Sequence, residues 1–138
     1  MKILHIDCSP RVGSWSRQLS SLIRDEFKAT YPGVTVMRRD LGFDPIPHPS
    51  TDYASALSTR EAYMAAQGTD AFVISELLIR ELEAADVVIL GTPMNNFTVP
   101  SCLKAWLDHV ILMGRTLGSG PDGKFGLLAD RPVYLAIA

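Results

Sequence analysis

Only two cysteines occur in the 138 residues, Cys8 and Cys102, with neither the density of a secreted disulfide framework nor the spacing of a metal site. They read as reduced thiols, and the sequence offers no metal-ligand set. Cationic blocks are missing too. Lys and Arg number 13 against 15 Asp and Glu, for a net charge of −2, which argues against nucleic acid or an anionic membrane as a general partner. No apolar run approaches the roughly 20 residues that cross a bilayer. The chain opens directly in a strand-like segment, Lys2-Ile3-Leu4-His5-Ile6, without a charged leader and long apolar stretch, so export is not expected and a cytoplasmic protein is. The common nucleotide fingerprints are absent: G-x-G-x-x-G would have only Gly13 to use, and no G-K-[ST] ending occurs. There is no repeat and no low-complexity segment.

What is present suits one globular domain over residues 1–138. The 47% apolar and 20% charged composition is ordinary for such a domain, and a chain of this length buries roughly two thirds of the surface its unfolded form exposes. Lys2 to Asp7 is β-rich. Ser9-Pro10-Arg11-Val12-Gly13-Ser14 interrupts it, and from Ser16 a helical period runs through Leu19, Leu22, Ile23 and Phe27. Tyr31-Pro32-Gly33 ends that helix, and Val34 to Asp40 resumes extended structure, completing a βαβ unit.

Leu41 to Ser58, punctuated by Pro45, Pro47 and Pro49, reads as a surface excursion, after which Ser58-Thr59-Arg60-Glu61 matches a capping box. Thr69-Asp70 starts a longer amphipathic helix with Ile74, Leu77, Leu78, Leu82 and Ala85 on one face and a Glu76–Arg80 pair on the other. Asp86 to Gly91 lacks alternation, as a strand covered on both faces does. Pro100 then suits the start of a helix whose buried stripe is Val99, Leu103, Trp106, Leu107, Val110 and Ile111. Gly114 to Asp130 reads as a glycine-rich loop, and Val133 to Ala138 as another buried strand. The order β-α-β-α-β-α-β implies an α/β doubly wound parallel sheet with helices on both faces.

Ligands of such sheets lie beyond the carboxyl ends of the strands. Two strand ends carry candidate chemistry. Ser9, Ser14 and Ser16 surround the entrance of a helix, where free N–H groups and the helix dipole favour an anion; the Trp15 N–H can join them. Neutral donors of this kind hold a nucleotide monophosphate without a dedicated lysine, although serines also simply cap helices. Met94-Asn95-Asn96-Phe97 follows the most apolar strand and can meet a flat heterocycle with backbone amides and a ring face. The two loops together point to a bound flavin nucleotide. A cysteine phosphatase loop would place arginine six residues after its nucleophile, and Ser14 stands there after Cys8, with Arg11 too early. Asp7 alone does not build the aspartate cluster of a Mg²⁺-dependent receiver. His5 reads as a core residue, His48 and His109 as isolated, and Trp106 as core. Arg11 is equally placed to reach phosphate, a partner subunit or solvent.

Ser9-Pro-Arg…Ser14-Trp-Ser16-Arg-Gln-Leu-Ser, Arg39-Asp40-Leu41…Pro45-Ile-Pro47 and Thr92-Pro-Met-Asn-Asn-Phe-Thr-Val-Pro-Ser101-Cys-Leu-Lys-Ala-Trp-Leu-Asp108 together resemble the FMN-dependent NADH-azoreductase and quinone-reductase family of flavodoxin-like proteins. The resemblance runs from the first strand to the last residue. It implies strand order 2-1-3-4 in a flavodoxin-like sheet, and a homodimer with FMN at the subunit interface. The phosphate would lie on Ser9, Ser14, Trp15 and Ser16, and the isoalloxazine edge on Met94, Asn95, Asn96 and Phe97. No protein nucleophile is implied, because the hydride chemistry belongs to the flavin: NADH or NADPH is the donor, and a quinone or azo compound the small-molecule acceptor.

The sequence departs from that family in carrying Asn95 where tyrosine is common and Leu117 where phenylalanine is frequent, which thins the aromatic surface offered to an acceptor. Family members also continue into a further ligand loop, a fifth strand and a helix. That leads to the expectation of a C-terminally incomplete domain with weakened FMN retention and an exposed Val133–Ala138 edge. A non-catalytic FMN-binding or electron-carrier module, or a truncated remnant, is the alternative reading.

Overall fold

The computed structural model describes residues 1–138. Four parallel strands form the main sheet in the order β2-β1-β3-β6: β1 (Lys2–Asp7), β2 (Thr35–Asp40), β3 (Val87–Thr92) and β6 (Val133–Ile137). This is the expected 2-1-3-4 order. Register places Asp7 opposite Asp40 on one side and opposite Gly91 on the other, so the first loops after β1, β2 and β3 emerge together.

Alternation along β1 sorts its side chains between two cores. Ile3, with Val87 and Ile89 of β3, packs against Ile23 and Phe27 of α1 (Trp15–Thr30). On the opposite face Leu4, Ile6, Cys8 and Val88 meet Leu78 and Ile79 of α4 (Val73–Ala84), Leu103, Trp106 and Val110 of α5 (Ser101–Val110), and Tyr53 and Phe72. Each fully buried Leu or Ile there stabilises the fold by roughly 1.5–3 kcal/mol.

The structure corrects several sequence expectations. The proline-punctuated excursion contains a short helix, α2 (Thr51–Ala56), capped by the Ser50 hydroxyl accepting from the Tyr53 N–H. The cap of α3 (Arg60–Ala66) is Thr59, not Ser58, its hydroxyl accepting from the Ala62 N–H. The glycine-rich stretch includes an antiparallel hairpin of β4 (Leu117–Gly120) and β5 (Gly123–Gly126). Glu76 pairs with Arg115, which also binds Glu83, rather than with Arg80. Leu19, Leu22, Leu77, Val99 and Ile111, expected on buried stripes, are exposed. Leu78, Leu103, Trp106 and Val110 are buried as expected, and polar or small neighbours turn inward beside them: Ser16, Arg17 and Ser20 on α1, Ser75 on α4, and Ala105 and His109 on α5. The last strand is the exposed edge that the family resemblance implied and not the buried strand its apolar run suggested, with only Ala136 buried, because no element of the chain covers Val133, Leu135 and Ile137.

Candidate functional site

The Cys8 N–H donates to the Gly91 carbonyl at 2.8 Å and the Cys102 thiol to the Cys8 carbonyl at 3.3 Å, tying the start of the first loop to β3 and α5. Ser9, Ser14 and Ser16 are all buried, while Trp15 between the last two is 72% exposed. Ser14 and Ser16 share a hydroxyl–hydroxyl hydrogen bond of 2.8 Å. Ser14 occupies the cap position of α1, yet its side chain makes no capping bond. The backbone N–H groups of Trp15, Ser16 and Arg17 therefore have no partner within the chain. Unpaired amides at the positive end of a sixteen-residue helix form a cradle for an anion.

Sequence reasoning missed the residue that builds this loop. Arg17 is 6% exposed. Its Nε and Nη2 donate to the Ser9 carbonyl at 2.7 and 2.5 Å, and Nη1 and Nη2 to the Asp40 carboxylate at 2.8 and 2.6 Å. Its guanidinium also lies 4.3 Å from the Phe43 ring centroid. The hydrogen bond from Arg17 holds the Asp40 carboxyl below its ordinary pKa. The only trace of this arrangement in the sequence was an aspartate at the end of each of two neighbouring strands.

Beneath Arg17 lies Asp7, also fully buried. Its carboxylate accepts from the Ser20 hydroxyl at 2.9 Å and from Arg38 Nη2 at 3.2 Å, with Arg17 Nη1 3.6 Å away. Burial alone would push its pKa up. The His5 imidazole, the Ser20 hydroxyl and the Arg17 charge outweigh burial and hold it at about 2. His5 Nε2 stands 3.5 Å from the Asp7 carboxylate, and neither of its ring nitrogens has a hydrogen-bond partner. It is a core residue, as expected, but an unsatisfied one. His109 is not isolated: it joins the Ser75 hydroxyl at 3.0 Å to the Pro47 carbonyl at 3.1 Å and ties α4, α5 and the proline segment together.

The second loop is built differently. The Asn95 N–H donates to the Thr98 carbonyl and the Thr98 N–H to the Asn95 carbonyl, both at 2.9 Å, closing a tight turn. Asn96 and Phe97 at its centre have φ of +49° and +62°, a conformation a bulky side chain adopts at a cost of order 1–3 kcal/mol. The amides of Asn96 and Phe97 face no acceptor in the chain. Met94, Asn95 and Asn96 are exposed and the Phe97 ring is 98% so. The larger concavities lie elsewhere, along α1 and β6 and between α3 and the β4–β5 hairpin.

This donor set fits the two ends of flavin mononucleotide. Three unpaired amides with buried serine hydroxyls suit a phosphate, and two unpaired amides on an exposed turn suit the polar edge of a heterocycle. It does not suit a thiolate mechanism. Cys8 is fully buried, and burial, with Cys102 and Asp7 nearby, pushes its thiol up to about 12. No group of three or more His, Cys, Asp or Glu is arranged to hold a metal ion, and no helix is long and apolar enough to cross a membrane.

The Flavodoxin_2 family, described as a flavodoxin-like fold, matches residues 1–138. FMN-dependent NADH:quinone oxidoreductase 2 of Cupriavidus pinatubonensis is 46% identical over 138 residues, covering 99% of this chain and 67% of that protein. FMN-dependent NADH:quinone oxidoreductase 4 of Pseudomonas fluorescens is 43% identical, covering 99% of this chain and 65% of that protein. Among solved structures, an azoreductase from Bacillus anthracis superposes with a TM-score of 0.82 over 98% of this chain and 67% of that one; at 24% identity it speaks to the fold. The chain spans about two thirds of the length of the curated relatives it matches.

Proposed function

Because this chain belongs to the Flavodoxin_2 family of flavodoxin-like proteins, we propose that it binds FMN across its two loops and serves an FMN-dependent NADH:quinone oxidoreductase that also accepts azo compounds. The observation that carries the reading is the anion cradle: unpaired amides of Trp15, Ser16 and Arg17 beside buried Ser9, Ser14 and Ser16, one strand away from the Asn95–Thr98 turn. Held there, FMN would supply the hydride and two-electron chemistry that links NADH or NADPH to the acceptor. The chain's own part is to bind and orient. The serine hydroxyls and helix amides hold the phosphate, and the Asn96 and Phe97 amides meet the polar edge of the ring.

The working form is a cytoplasmic homodimer with FMN near the subunit interface. Exposed Val12 and Trp15 on the first loop and exposed Met94 and Phe97 on the second support this, since apolar side chains clustered around a ligand site mark a surface that another surface covers. Two free cysteines accord with a reducing compartment.

Titrating apo-protein with FMN and following quenching of flavin fluorescence, then adding NADH anaerobically, tests the reading. The expected result is quenching, bleaching of the flavin band on NADH addition, and its return with a benzoquinone. Binding without bleaching would leave an FMN-binding module and overturn the enzyme reading. Absence of binding would overturn both. Sedimentation with and without FMN tests the dimer.

A further inference from the structure

We propose that Arg17 is the positioning residue of the phosphate loop: by gripping the Ser9 carbonyl from beneath, it turns that oxygen away from the anion and leaves only donors facing it. The inference rests on the FMN reading above.

The geometry is a clamp drawn from three elements. Arg17, on the first turn of α1, places two N–H donors on one acceptor, the Ser9 carbonyl. The other side of its guanidinium is held bidentately by Asp40, at the end of β2, which fixes the plane of the fork. Asp40 also accepts from the Phe43 N–H at 3.2 Å, and the Phe43 ring covers the guanidinium. Gly42 completes the clamp, because a Cβ there would lie 2.2 Å from the Ser9 oxygen and 2.8 Å from Arg17 Nη2. The turn after β2 is pressed against the phosphate loop, and only glycine permits that approach.

The charges are arranged to the same end. Arg17 and Arg38 are both matched by Asp7 and Asp40 at 2.6–3.6 Å, so Arg17 brings no free positive charge to the loop. It acts through the Ser9 peptide. A carbonyl free to rotate toward the cradle would set a negative oxygen against the phosphate and displace the Ser9 hydroxyl, which here accepts from the Arg11 N–H at 3.3 Å. This role concerns the phosphate and not the ring. Loss of the clamp should therefore penalise FMN and spare riboflavin, which has the same ring and no phosphate.

The test compares dissociation constants for FMN and riboflavin in the wild-type protein, in Arg17→Lys and in Asp40→Asn. Lysine keeps the charge and loses the fork. Arg17→Lys is expected to weaken FMN about tenfold or more while riboflavin changes less than about twofold, the size expected for charge-assisted hydrogen bonds. Asp40→Asn, which leaves Arg17 in place with a weaker anchor, should shift the ratio in the same direction by a smaller factor, and it carries the test should Arg17→Lys not fold. In Arg17→Ala, guanidinium ion at low concentration should restore FMN affinity and leave riboflavin unchanged. An unchanged FMN-to-riboflavin ratio in the folded variants, or equal loss for both ligands, overturns the inference while leaving the FMN reading standing. A wild-type protein that binds neither flavin overturns both.

Discussion

The two loops at the top of the sheet reach their shapes by opposite means. The Ser9–Ser16 loop is held from below. Its serines are buried, the Ser9 carbonyl is gripped by Arg17, and behind Arg17 stand Asp40, Asp7, Ser20 and Arg38. The Asn95–Thr98 turn is held by its own two backbone hydrogen bonds, carries two non-glycine residues at positive φ, and offers an exposed phenylalanine ring. The difference follows the ligand end each would serve. A phosphate needs many donors fixed to within fractions of an ångström, which takes a rigid polar scaffold. A ring edge and its acceptor need a surface that changes as substrates exchange, and a strained turn open to a partner provides one.

The sharpest way to break this contrast is to remove the scaffold. Asp7→Ala would leave Arg17, Arg38 and the unsatisfied His5 around an empty buried site, and should cost about 3–5 kcal/mol in urea unfolding, the range for breaking a buried ion pair; a loss below about 1 kcal/mol, as at surface pairs, would show that the network is not rigid. The same carboxylate sets an acid limit. Because its folded pKa of about 2 lies below the ordinary aspartate value, its ionised form stabilises the fold above about pH 4, and that contribution disappears as pH falls toward 2. Acid unfolding of the wild type should show this steep loss, and Asp7→Ala should flatten it.

Gly91→Val tests the packing between scaffold and loop. A Cβ at Gly91 meets Ser20 Oγ at 2.6 Å and the Ser16 carbonyl at 2.9 Å, so overpacking should destabilise by about 1–3 kcal/mol and weaken FMN binding. The second loop should respond differently. Asn95→Tyr adds a ring face and is expected to lower KM for a planar quinone by a factor corresponding to on the order of 1 kcal/mol, with unfolding unchanged. Phe97→Gly relieves a positive φ and should leave stability equal or raise it by about 0.5–1 kcal/mol while quinone turnover falls. A large loss of stability in Phe97→Gly would mean that the turn is scaffold after all.

The four main strands and the positions of the breaks after β1 and β3 were legible in the sequence because each depends on local signals: apolar runs for β1 and β3, serines before a helix, and a polar-aromatic break after the most apolar strand. The strand order came from the family resemblance. Helix faces were read less well. On α1 the period through Leu19 and Leu22 suggested a buried apolar stripe, whereas the first turns of the helix pack Ser16 and Ser20 inward over the narrow space above Gly91 and Arg17 against Ser9 and Gly42. Hydrophobic spacing reports amphipathicity, and a helix seated on a buried polar network inverts it near the site. The Glu76–Arg80 pairing failed for a related reason, since Arg115, distant in sequence, folds back to take both Glu76 and Glu83.

The sequence by itself determined which segments form the four strands of the main sheet, where the chain breaks after them, and which residue types gather at the two loops, because apolar runs, capping residues and turn formers act over a few positions. Only the tertiary structure decided that Arg17, Asp40, Gly42 and Asp7 meet beneath Ser9. Their encounter depends on β2 and β1 lying in parallel register so that two strand ends and one helix start converge, and no spacing along the chain encodes that convergence.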